Sequence, residues 1–551
     1  MATAWLSFKW VGAIALAAAA AAAAPAGAQP RAQGTDRLIV RLADWADAGP
    51  AQPMRADRAR GLSIAARSRL EPYRRMSGGA HVVRLTHDLP VAEVEAMATR
   101  LMNDPAVVHA EPDRRKFPLR VAADPLYVHQ WNLFEPAGGI NVPAAWDITT
   151  GSPAVVVAVL DTGVRPDNID LAGRLVAGYD FVREDAPGLA LTANDGDGRD
   201  ASAADPGDWL TATEAGQPPF TSCPEAAPSS WHGTHTAGII AASANNGYGI
   251  AGIAWTVRVL PARVLGKCGG YTSDIIDAIR WSAGLAVPDV PANGSPAQVL
   301  NLSLGAPGDC SVEEQRALDD ALATGRVKAI VTAAGNDAGD SARTTPAGCR
   351  GVLTVTATDR SGSRAPYASL GANVALAAPG GAFAANATSG ANGILSLFNT
   401  GRTTPAADAF AFAAGTSEAA AHVSGVVALM LSANPGLAAA DVRRILQTTA
   451  RAFPNAACSP SLCGAGIVDA AAAVAAAAAP PAPAAPVQSA PAPTPVSMTT
   501  PAATPVAADS GGGGCTIARD GAPEAALPLL ALWAFASILA RRWRERRTRR
   551  A

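Results

Sequence analysis

The chain has 551 residues, of which 49% are hydrophobic, so it is too long for one ordinary domain and apolar enough to bury a large core. Its net charge of −2 hides an asymmetry: residues 29–120 hold 16 Lys/Arg against 11 Asp/Glu, whereas residues 121–510 hold 19 against 32. Residues 121–510 are acidic enough to repel phosphates, which excludes a nucleic-acid-binding protein. A basic front and an acidic middle suggest two parts that attract each other.

Residues 1–28 are typical of a secretory signal. Lys9 supplies the positive start, residues 11–24 are apolar, and the small residues 26–28 match a cleavage site. The alternative is an N-terminal membrane anchor. Export would place the rest of the chain in an oxidising compartment.

Residues 29–120 form a separate predicted unit. Strands are expected at 38–40 and 80–85, a helix at 90–102, and a second strand-like segment at 104–115. Two strand–helix halves of this size favour a small α+β domain.

Residues 121–475 alternate short apolar runs with helical patterns. The predicted strands are 155–160, 257–260, 299–304, 329–333 and 352–357. The predicted helices are 232–242, 273–283, 312–324, 416–431 and 439–449. Strands that are apolar on both faces and separated by helices predict an α/β fold, in which a mainly parallel sheet is flanked by helices on both faces. In such sheets the chemistry gathers at the carboxyl ends of the strands.

The last part of the chain changes composition twice. Residues 476–510 are rich in Pro and Ala and are expected to be a semi-rigid linker. Residues 511–551 contain four glycines, Cys515, an apolar run at 525–540 and an arginine-rich end. At ~1.5 Å per residue, a helical run of this length spans roughly 24 Å, less than a ~30 Å hydrocarbon core.

The seven cysteines indicate disulfide bonds in an exported protein. Six lie in the acidic region and Cys515 stands alone near the end. Fifteen pairings of six cysteines are possible. Sequence order suggests Cys223–Cys268, Cys310–Cys349 and Cys458–Cys463.

Four polar residues stand where buried elements end or begin. Asp161 and Asn336 each follow a predicted strand, His232 opens a predicted helix, and Ser417 opens another after a Gly-Thr turn. Together they supply a carboxylate, an amide, an imidazole and a hydroxyl. A serine nucleophile needs a base within hydrogen-bond reach, and that base needs an orienting partner.

Taken singly, each of these residues has a structural explanation. Ser417 is a suitable helix cap, and Asp161 and Asn336 are ordinary turn residues. His232 and His235 are spaced for a shared metal site, but no glutamate base accompanies them. His235 is interpreted as a packed structural histidine.

The motifs around these residues, in the order Asp, His, Ser, closely resemble those of the subtilisin-like serine proteases. They are VLDTGV, HGTHTAG, LNLSLG, AAGN and GTSEAAAHVSG, and the resemblance covers residues 124–475. The thermitase-like branch of that family is most similar, through DPLYVHQWNL and IDLAGRLVAGYDFV.

The resemblance implies a role for each residue. His232 would take the proton of Ser417 and return it to the leaving amine, while Asp161 would hold the imidazole. Asn336 would stabilise the oxyanion together with the backbone N–H of Ser417. The substrate would pair as an extra strand with the edge formed by Ser303, Leu304 and Gly305.

Two residues depart from the family pattern. The family usually has Met directly after the nucleophile and Pro four residues after it, whereas this chain has Glu418 and Ala421. Loss of the proline relaxes the first turns of the helix. A carboxylate at 418 is expected to raise the pKa of His232 and so to change the pH preference of the enzyme.

The resemblance also implies structural Ca²⁺. Asp124, Asp170 and Asn246 match the side-chain ligands of the strong calcium site in the thermitase-like branch. Asp180 and Asp185 are candidates for a second site. The insertion at 195–208, with five aspartates, is either a further ion site or a solvated acidic loop, because it lacks the full EF-hand spacing.

The function implied is a secreted serine endopeptidase, made as a zymogen, that hydrolyses protein or peptide substrates. Residues 29–120 would be its inhibitory prodomain, removed by self-cleavage between residues 117 and 123. The tail resembles bacterial C-terminal sorting signals, with a plain membrane anchor as the alternative. A monomer is expected.

Two other functions remain open: a non-catalytic surface protein for binding or adhesion, and a peptide acyl-transferase, since Ala421 would ease entry of an amine.

Overall fold

The computed structural model describes residues 34–43, 54–114, 121–383, 391–456 and 458–479. The predicted signal segment, most of the cleavage region at 117–123, nearly all of the linker and the C-terminal tail lie outside these ranges. Within the described ranges, no helix combines the length and apolar character needed to cross a membrane.

The front unit is a small α+β domain, as predicted. Its elements are β1 (Gly34–Leu42), α1 (Ala56–Ala66), β2 (Glu71–Arg75), β3 (His81–Pro90), α2 (Val91–Leu101) and β4 (Val107–Pro112). The four strands form an antiparallel sheet in the order β2-β3-β1-β4. Its core joins Leu38, Val40 and Val83 of the sheet to Leu62 of α1 and Leu101 of α2.

The remaining elements alternate along the chain as expected for an α/β fold. The strands are β5 (Val156–Asp161), β6 (Tyr179–Asp180), β7 (Arg258–Arg263), β8 (Val299–Leu302), β9 (Ala306–Pro307), β10 (Ala329–Ala333), β11 (Thr344–Thr345), β12 (Leu353–Thr358), β13 (Val374–Pro379), β14 (Ile394–Asn399) and β15 (Asp408–Ala413). The helices are α3 (Trp131–Phe134), α4 (Val142–Trp146), α5 (His232–Ala241), α6 (Thr272–Ser282), α7 (Val312–Ala323), α8 (Thr416–Ala433), α9 (Ala439–Thr449), α10 (Pro460–Cys463) and α11 (Ala470–Ala478). Short 3₁₀ turns cover Tyr127–His129, Ile169–Leu171 and Ser341–Arg343.

A seven-stranded parallel sheet forms the centre, in the order β13-β12-β10-β8-β5-β7-β6. Both faces are covered. In β5, Val157 and Val159 join the core that contains α5 and α8, while Ala158 and Leu160 join the core that contains α6 and α7. Alternate side chains of a strand point to opposite faces, so this central strand must be apolar throughout.

The disulfide pairing suggested by sequence order is confirmed. Cys223 pairs with Cys268, Cys310 with Cys349, and Cys458 with Cys463.

The helix α11 continues to Ala478, which is three residues into the range predicted for the linker from residue 476. Alanine has the highest helix propensity, and Ala473, Val474 and Ala477 bury one face of this helix in the core.

Candidate active site

The candidate catalytic groups follow three adjacent strands of the central sheet. Asp161 ends β5, Ser303 follows β8, and Asn336 lies just beyond the end of β10. Since these strands are neighbours and parallel, their carboxyl ends meet at one edge of the sheet. The helices α5 and α8, which begin at His232 and Thr416, pack against the same sheet.

Asp161 and His232 are directly hydrogen-bonded. Nδ1 of His232 lies 2.7 Å from Oδ1 of Asp161, which is wholly buried. The same oxygen accepts the N–H of Thr162 at 2.8 Å, so the carboxylate is fixed from two sides. A carboxylate on Nδ1 leaves Nε2 as the imidazole nitrogen that can accept a proton.

A glycine allows α5 to approach this carboxylate. A Cβ atom on Gly233 would lie 2.0 Å from the carbonyl oxygen of Gly163 and 3.1 Å from Cβ of Asp161. Any other residue at 233 would push the helix away from the end of β5. The glycine in the motif HGTHTAG is therefore required by packing next to the site.

Ser417 lies in the first turn of α8 and keeps 7% of its surface exposed, close to the 9% of His232. Its hydroxyl donates to the carbonyl of Ser303 at 2.9 Å, and the hydroxyl of Ser303 donates back to the carbonyl of Ser417 at 2.9 Å. Ser303 thus faces inward and holds the serine, while Leu304 is half-buried and Gly305 is exposed.

Asn336 is held by the residue before Ser417. Its Oδ1 accepts the backbone N–H of Thr416 at 2.8 Å and the Thr416 hydroxyl at 2.9 Å. A Cβ atom built on Gly415 would lie 3.4 Å from Nδ2 of Asn336 and 3.6 Å from the backbone nitrogen of Ser417. Two nitrogen donors therefore lie beside the small space that this glycine leaves, with Oε2 of Glu418 also near it.

The surroundings of His232 favour its protonated form. Burial opposes the charge, but the carboxylate of Asp161 outweighs burial, with Glu418 and Asp208 acting in the same direction, and the pKa of His232 rises to about 9. An imidazole whose Nδ1 is held by a buried carboxylate is suited to general-base catalysis.

Comparison with known proteins identifies the class of enzyme. The sequence profile of the subtilase family matches residues 152–466, more than half of the chain. The chain belongs to the subtilase family. As a subtilase it is a serine endopeptidase, and such a protease acts on protein or peptide substrates.

Relatives of this subtilase are known bacterial proteases. It is 43% identical to an extracellular protease of Xanthomonas campestris pv. campestris over 77% of this chain and 68% of the relative. It is 39% identical to the extracellular basic protease of Dichelobacter nodosus over 80% of this chain and 70% of the relative. The solved structure of a protease from Pseudoalteromonas arctica matches with 47% identity and a TM-score of 0.60, covering 65% of this chain and 99% of that one. The alternatives of adhesion and acyl transfer find no support in these relatives.

The three residues predicted to bind calcium lie together in this subtilase. Asp124 accepts the backbone N–H groups of Asn245 and Asn246 at 2.8 and 3.2 Å, and Asn246 Nδ2 donates to Asp170 Oδ1 at 2.8 Å. Both carboxylates are buried. Burial raises the pKa of Asp124, and it raises the pKa of Asp170 to about 7, with Asp124 adding to the effect.

The two candidates for a second calcium site have different partners in the structure, and neither contact joins them to each other. Arg263 is wholly buried and is paired with Asp180 and Asp195. Asp185 instead accepts the N–H and hydroxyl of Thr192 at 2.8 and 2.7 Å. Across the described residues, the only cluster of three or more His, Cys, Asp or Glu ligands is Cys310–Glu314–Cys349, and its two cysteines form a disulfide.

Sequence reasoning missed several residues that shape this site. Asn301 donates to the hydroxyl of Ser303 at 2.9 Å and accepts from Ser424 at 2.8 Å, a buried polar chain behind Ser417. An asparagine inside an apolar strand was the available signal. His235 packs as predicted, but its partner is Glu418, whose pairing no local pattern indicates.

Proposed function

We propose that Ser417 is the nucleophile of this endopeptidase, His232 its general base, Asp161 the group that orients the base, and Asn336 a donor to the oxyanion. The 2.7 Å hydrogen bond between Asp161 and His232 carries the proposal. The family's chemistry needs a base held in one tautomer, and Asp161 fixes the tautomer of His232 by accepting from Nδ1.

In the first half-reaction, Oγ of Ser417 attacks the carbonyl carbon of the scissile bond while its proton passes to Nε2 of His232. A hydroxyl has only one proton, and that of Ser417 is hydrogen-bonded to the carbonyl of Ser303 at 2.9 Å. This hydrogen bond must break before the proton can pass to His232. The tetrahedral oxyanion would lie between Nδ2 of Asn336 and the backbone N–H of Ser417. His232 then gives its proton to the leaving amine, and an acyl-enzyme remains.

In the second half-reaction, water attacks the acyl-enzyme. His232 takes a proton from the water, the oxyanion forms again beside Asn336, and Ser417 leaves with the proton returned by His232. The peptide would lie as an extended strand along the segment Ser303, Leu304 and Gly305, where the exposure of Gly305 leaves its backbone open to pairing.

The test is the pair of variants Ser417→Ala and Ser432→Ala. Ser432 lies near the other end of the same helix, where its hydroxyl donates to the carbonyl of Ala428 at 2.7 Å. Ser417→Ala should lose about 10⁶ of kcat, a magnitude measured in subtilisin, a member of this family. It should also lose labelling by a fluorophosphonate probe, while Ser432→Ala keeps the label. Peptide hydrolysis by the folded Ser417→Ala variant would contradict the proposal.

We also propose that the chain is exported and processes itself. The signal-like residues 1–28, the three disulfides and the extracellular relatives support export. The separate core of the unit at 34–114 supports its role as a prodomain. Mass spectrometry of the secreted protein should find a new N-terminus between residues 117 and 123 in the wild type. The Ser417→Ala variant should keep the prodomain attached.

We propose Ca²⁺ as the ion held by Asp124, Asp170 and Asn246. All three offer oxygen ligands, which Ca²⁺ prefers, and nearby backbone carbonyls would complete the shell. Two buried carboxylates with raised pKa values fit a cation better than they fit an apolar interior. The ion would tie the segment before α3 to the loop after α5.

A further inference from the structure

The first turn of α5 depends on groups outside the site described so far. Trp231 is its N-cap residue and makes no side-chain capping hydrogen bond, so the first N–H groups of the helix need other acceptors. The N–H of His232 lies 3.3 Å from Oγ of Ser230, and the N–H of Gly233 lies 3.0 Å from Oγ1 of Thr162. Both acceptors are hydroxyls, and each also has a proton to donate.

Each hydroxyl donates a hydrogen bond to a carboxylate of the acidic insertion. Thr162 donates to Oδ2 of Asp205 at 2.6 Å. Ser230 donates to Oδ2 of Asp208 at 2.7 Å, and its backbone N–H donates to Oδ1 at 2.6 Å. We call these two chains, Asp205–Thr162–Gly233 and Asp208–Ser230–His232, the capping relays. Hydrogen bonds to a carboxylate are stronger than neutral ones, and negative charge is favourable at a helix N-terminus.

The relays flank a backbone conformation that needs support. Trp231 has φ 52° and ψ 30°, a left-handed conformation that a bulky residue rarely adopts. Its side chain is wholly buried, and its indole N–H donates to the carbonyl of Gly401 at 2.8 Å. Because Trp231 directly precedes His232, the backbone conformation of Trp231 sets the direction in which the side chain of His232 points.

One relay also reaches the partner of His232. Thr162 directly follows Asp161, so Asp205 is connected through one hydroxyl to both the strand that carries the carboxylate and the helix that carries the imidazole. Asp205 is wholly buried, and Asp208 is partly buried. For these two residues, the interpretation of the insertion as a solvated acidic loop is wrong, because their carboxylates face hydroxyls of the protein.

We propose that Asp205 and Asp208 are positioning residues for catalysis, which act through Thr162 and Ser230 to fix the first turn of α5 and so the direction of His232. The proposal rests on the role of His232 as general base. Its consequence is that both carboxylates affect the chemical step without touching the substrate. A displacement of about 1 Å in a catalytic group costs roughly 10²-fold in rate.

The experiment compares each relay hydroxyl with a variant that lacks it. Thr162→Val keeps the shape and removes the hydroxyl, whereas Thr162→Ser keeps the hydroxyl. Thr162→Val, Ser230→Ala, Asp205→Ala and Asp208→Ala should lower kcat by roughly ten- to a hundredfold with KM within about twofold. The rate at which a fluorophosphonate labels Ser417 should fall by the same factor, because labelling reports the activation of that serine. Thr162→Ser should recover most of the loss.

The matched control is Asp197→Asn, an exposed aspartate of the same insertion, which should keep wild-type kcat. Wild-type kcat and labelling rates in Asp205→Ala and Asp208→Ala, measured well below their Tm, would overturn the proposal. So would a rise in KM alone, which would make the carboxylates substrate contacts. If Thr162→Val does not fold, Ser230→Ala and Asp208→Ala test the second relay by the same readouts. Failure of the proposed function would differ from all of these, since the wild type itself would not label at Ser417.

Discussion

His235 and Glu418 form a buried pair between the two helices of the active site. Nδ1 of His235 lies 3.4 Å from Oε1 of Glu418, and their side chains are 1% and 0% exposed. Burial opposes the charge on Glu418, but the adjacent His235 outweighs it and lowers the pKa of that carboxyl. A fixed negative charge thus lies one residue after Ser417, paired with a histidine one helical turn after His232.

This charge predicts a pH profile displaced to alkaline values. The pKa of His232 is raised to about 9, and only the neutral imidazole can act as base, so kcat/KM should rise with pH until about pH 9. Glu418→Gln keeps the shape of the side chain and removes its charge. Since a neighbouring carboxylate stabilises the protonated imidazole, its loss lowers the pKa of His232, and the rising limb of kcat/KM should move to lower pH.

The control for this prediction is Glu313→Gln, which removes an exposed carboxylate of α7 and should leave the profile unchanged. Asp161 and Asp208 remain in Glu418→Gln, so the displacement should be partial. Superimposable profiles for Glu418→Gln and the wild type would contradict the prediction. Glu418→Met, which restores the residue usual in the family, should behave like Glu418→Gln.

Asn336→Ala should lower kcat by about 10²–10³-fold and change KM little, a magnitude measured in subtilisin itself. The physical reason is that Thr416 holds Oδ1 of Asn336, which leaves Nδ2 as the donor beside Ser417. Asn373→Ala is a suitable control, because the amide of Asn373 bonds to Ser341 and Ala347 and not to the segment that carries Ser417. Steady-state kinetics with a peptide substrate would check both. An Asn336→Ala enzyme that lost affinity and kept kcat would show that the amide binds substrate instead.

Local patterns were sufficient to predict the elements that carry the proposed catalytic groups. The motif at Asp161 ends a strand that is apolar on both faces, and α8 is apolar around its whole circumference, which indicates a buried helix. Elements with other compositions were missed. β2 reads Glu-Pro-Tyr-Arg-Arg, and β13 reads Val-Ala-Leu-Ala-Ala-Pro. Each has only one of the β-branched and aromatic residues that are typical of strands.

Contacts between residues that are far apart in the chain could not be predicted from the sequence. Arg263 ends a strand, where a charged residue is usually exposed, yet it is buried against Asp180, 83 residues earlier. Thr162 meets Asp205 across 43 residues, through an insertion with no periodic pattern. Such contacts depend on how the loop returns to the sheet, which local propensity does not determine.

Two of the disulfides should differ in their contribution to stability. The Cys310–Cys349 bond joins residues 39 apart, and the Cys458–Cys463 bond joins residues 5 apart. In the loop-entropy model, the longer loop gives about 4 kcal/mol and the shorter about 2 kcal/mol. Paired Cys→Ser variants at each bridge should show this difference in urea unfolding, with Ser417→Ala as the background to prevent self-digestion. Equal losses would contradict the entropic explanation.

Removal of Ca²⁺ should lower the thermal stability of the wild type. An ion bound at 100 times its Kd stabilises the folded state by about 2.7 kcal/mol, so a chelator should lower Tm by several degrees. Asp170→Asn removes a ligand charge from the proposed site, and its Tm should therefore no longer respond to the chelator. Asp441→Asn, at a half-buried position beside Arg444, should keep the full response. An unchanged Tm in the wild type after chelation would reject the site, because two buried carboxylates that lose their cation must lose stability.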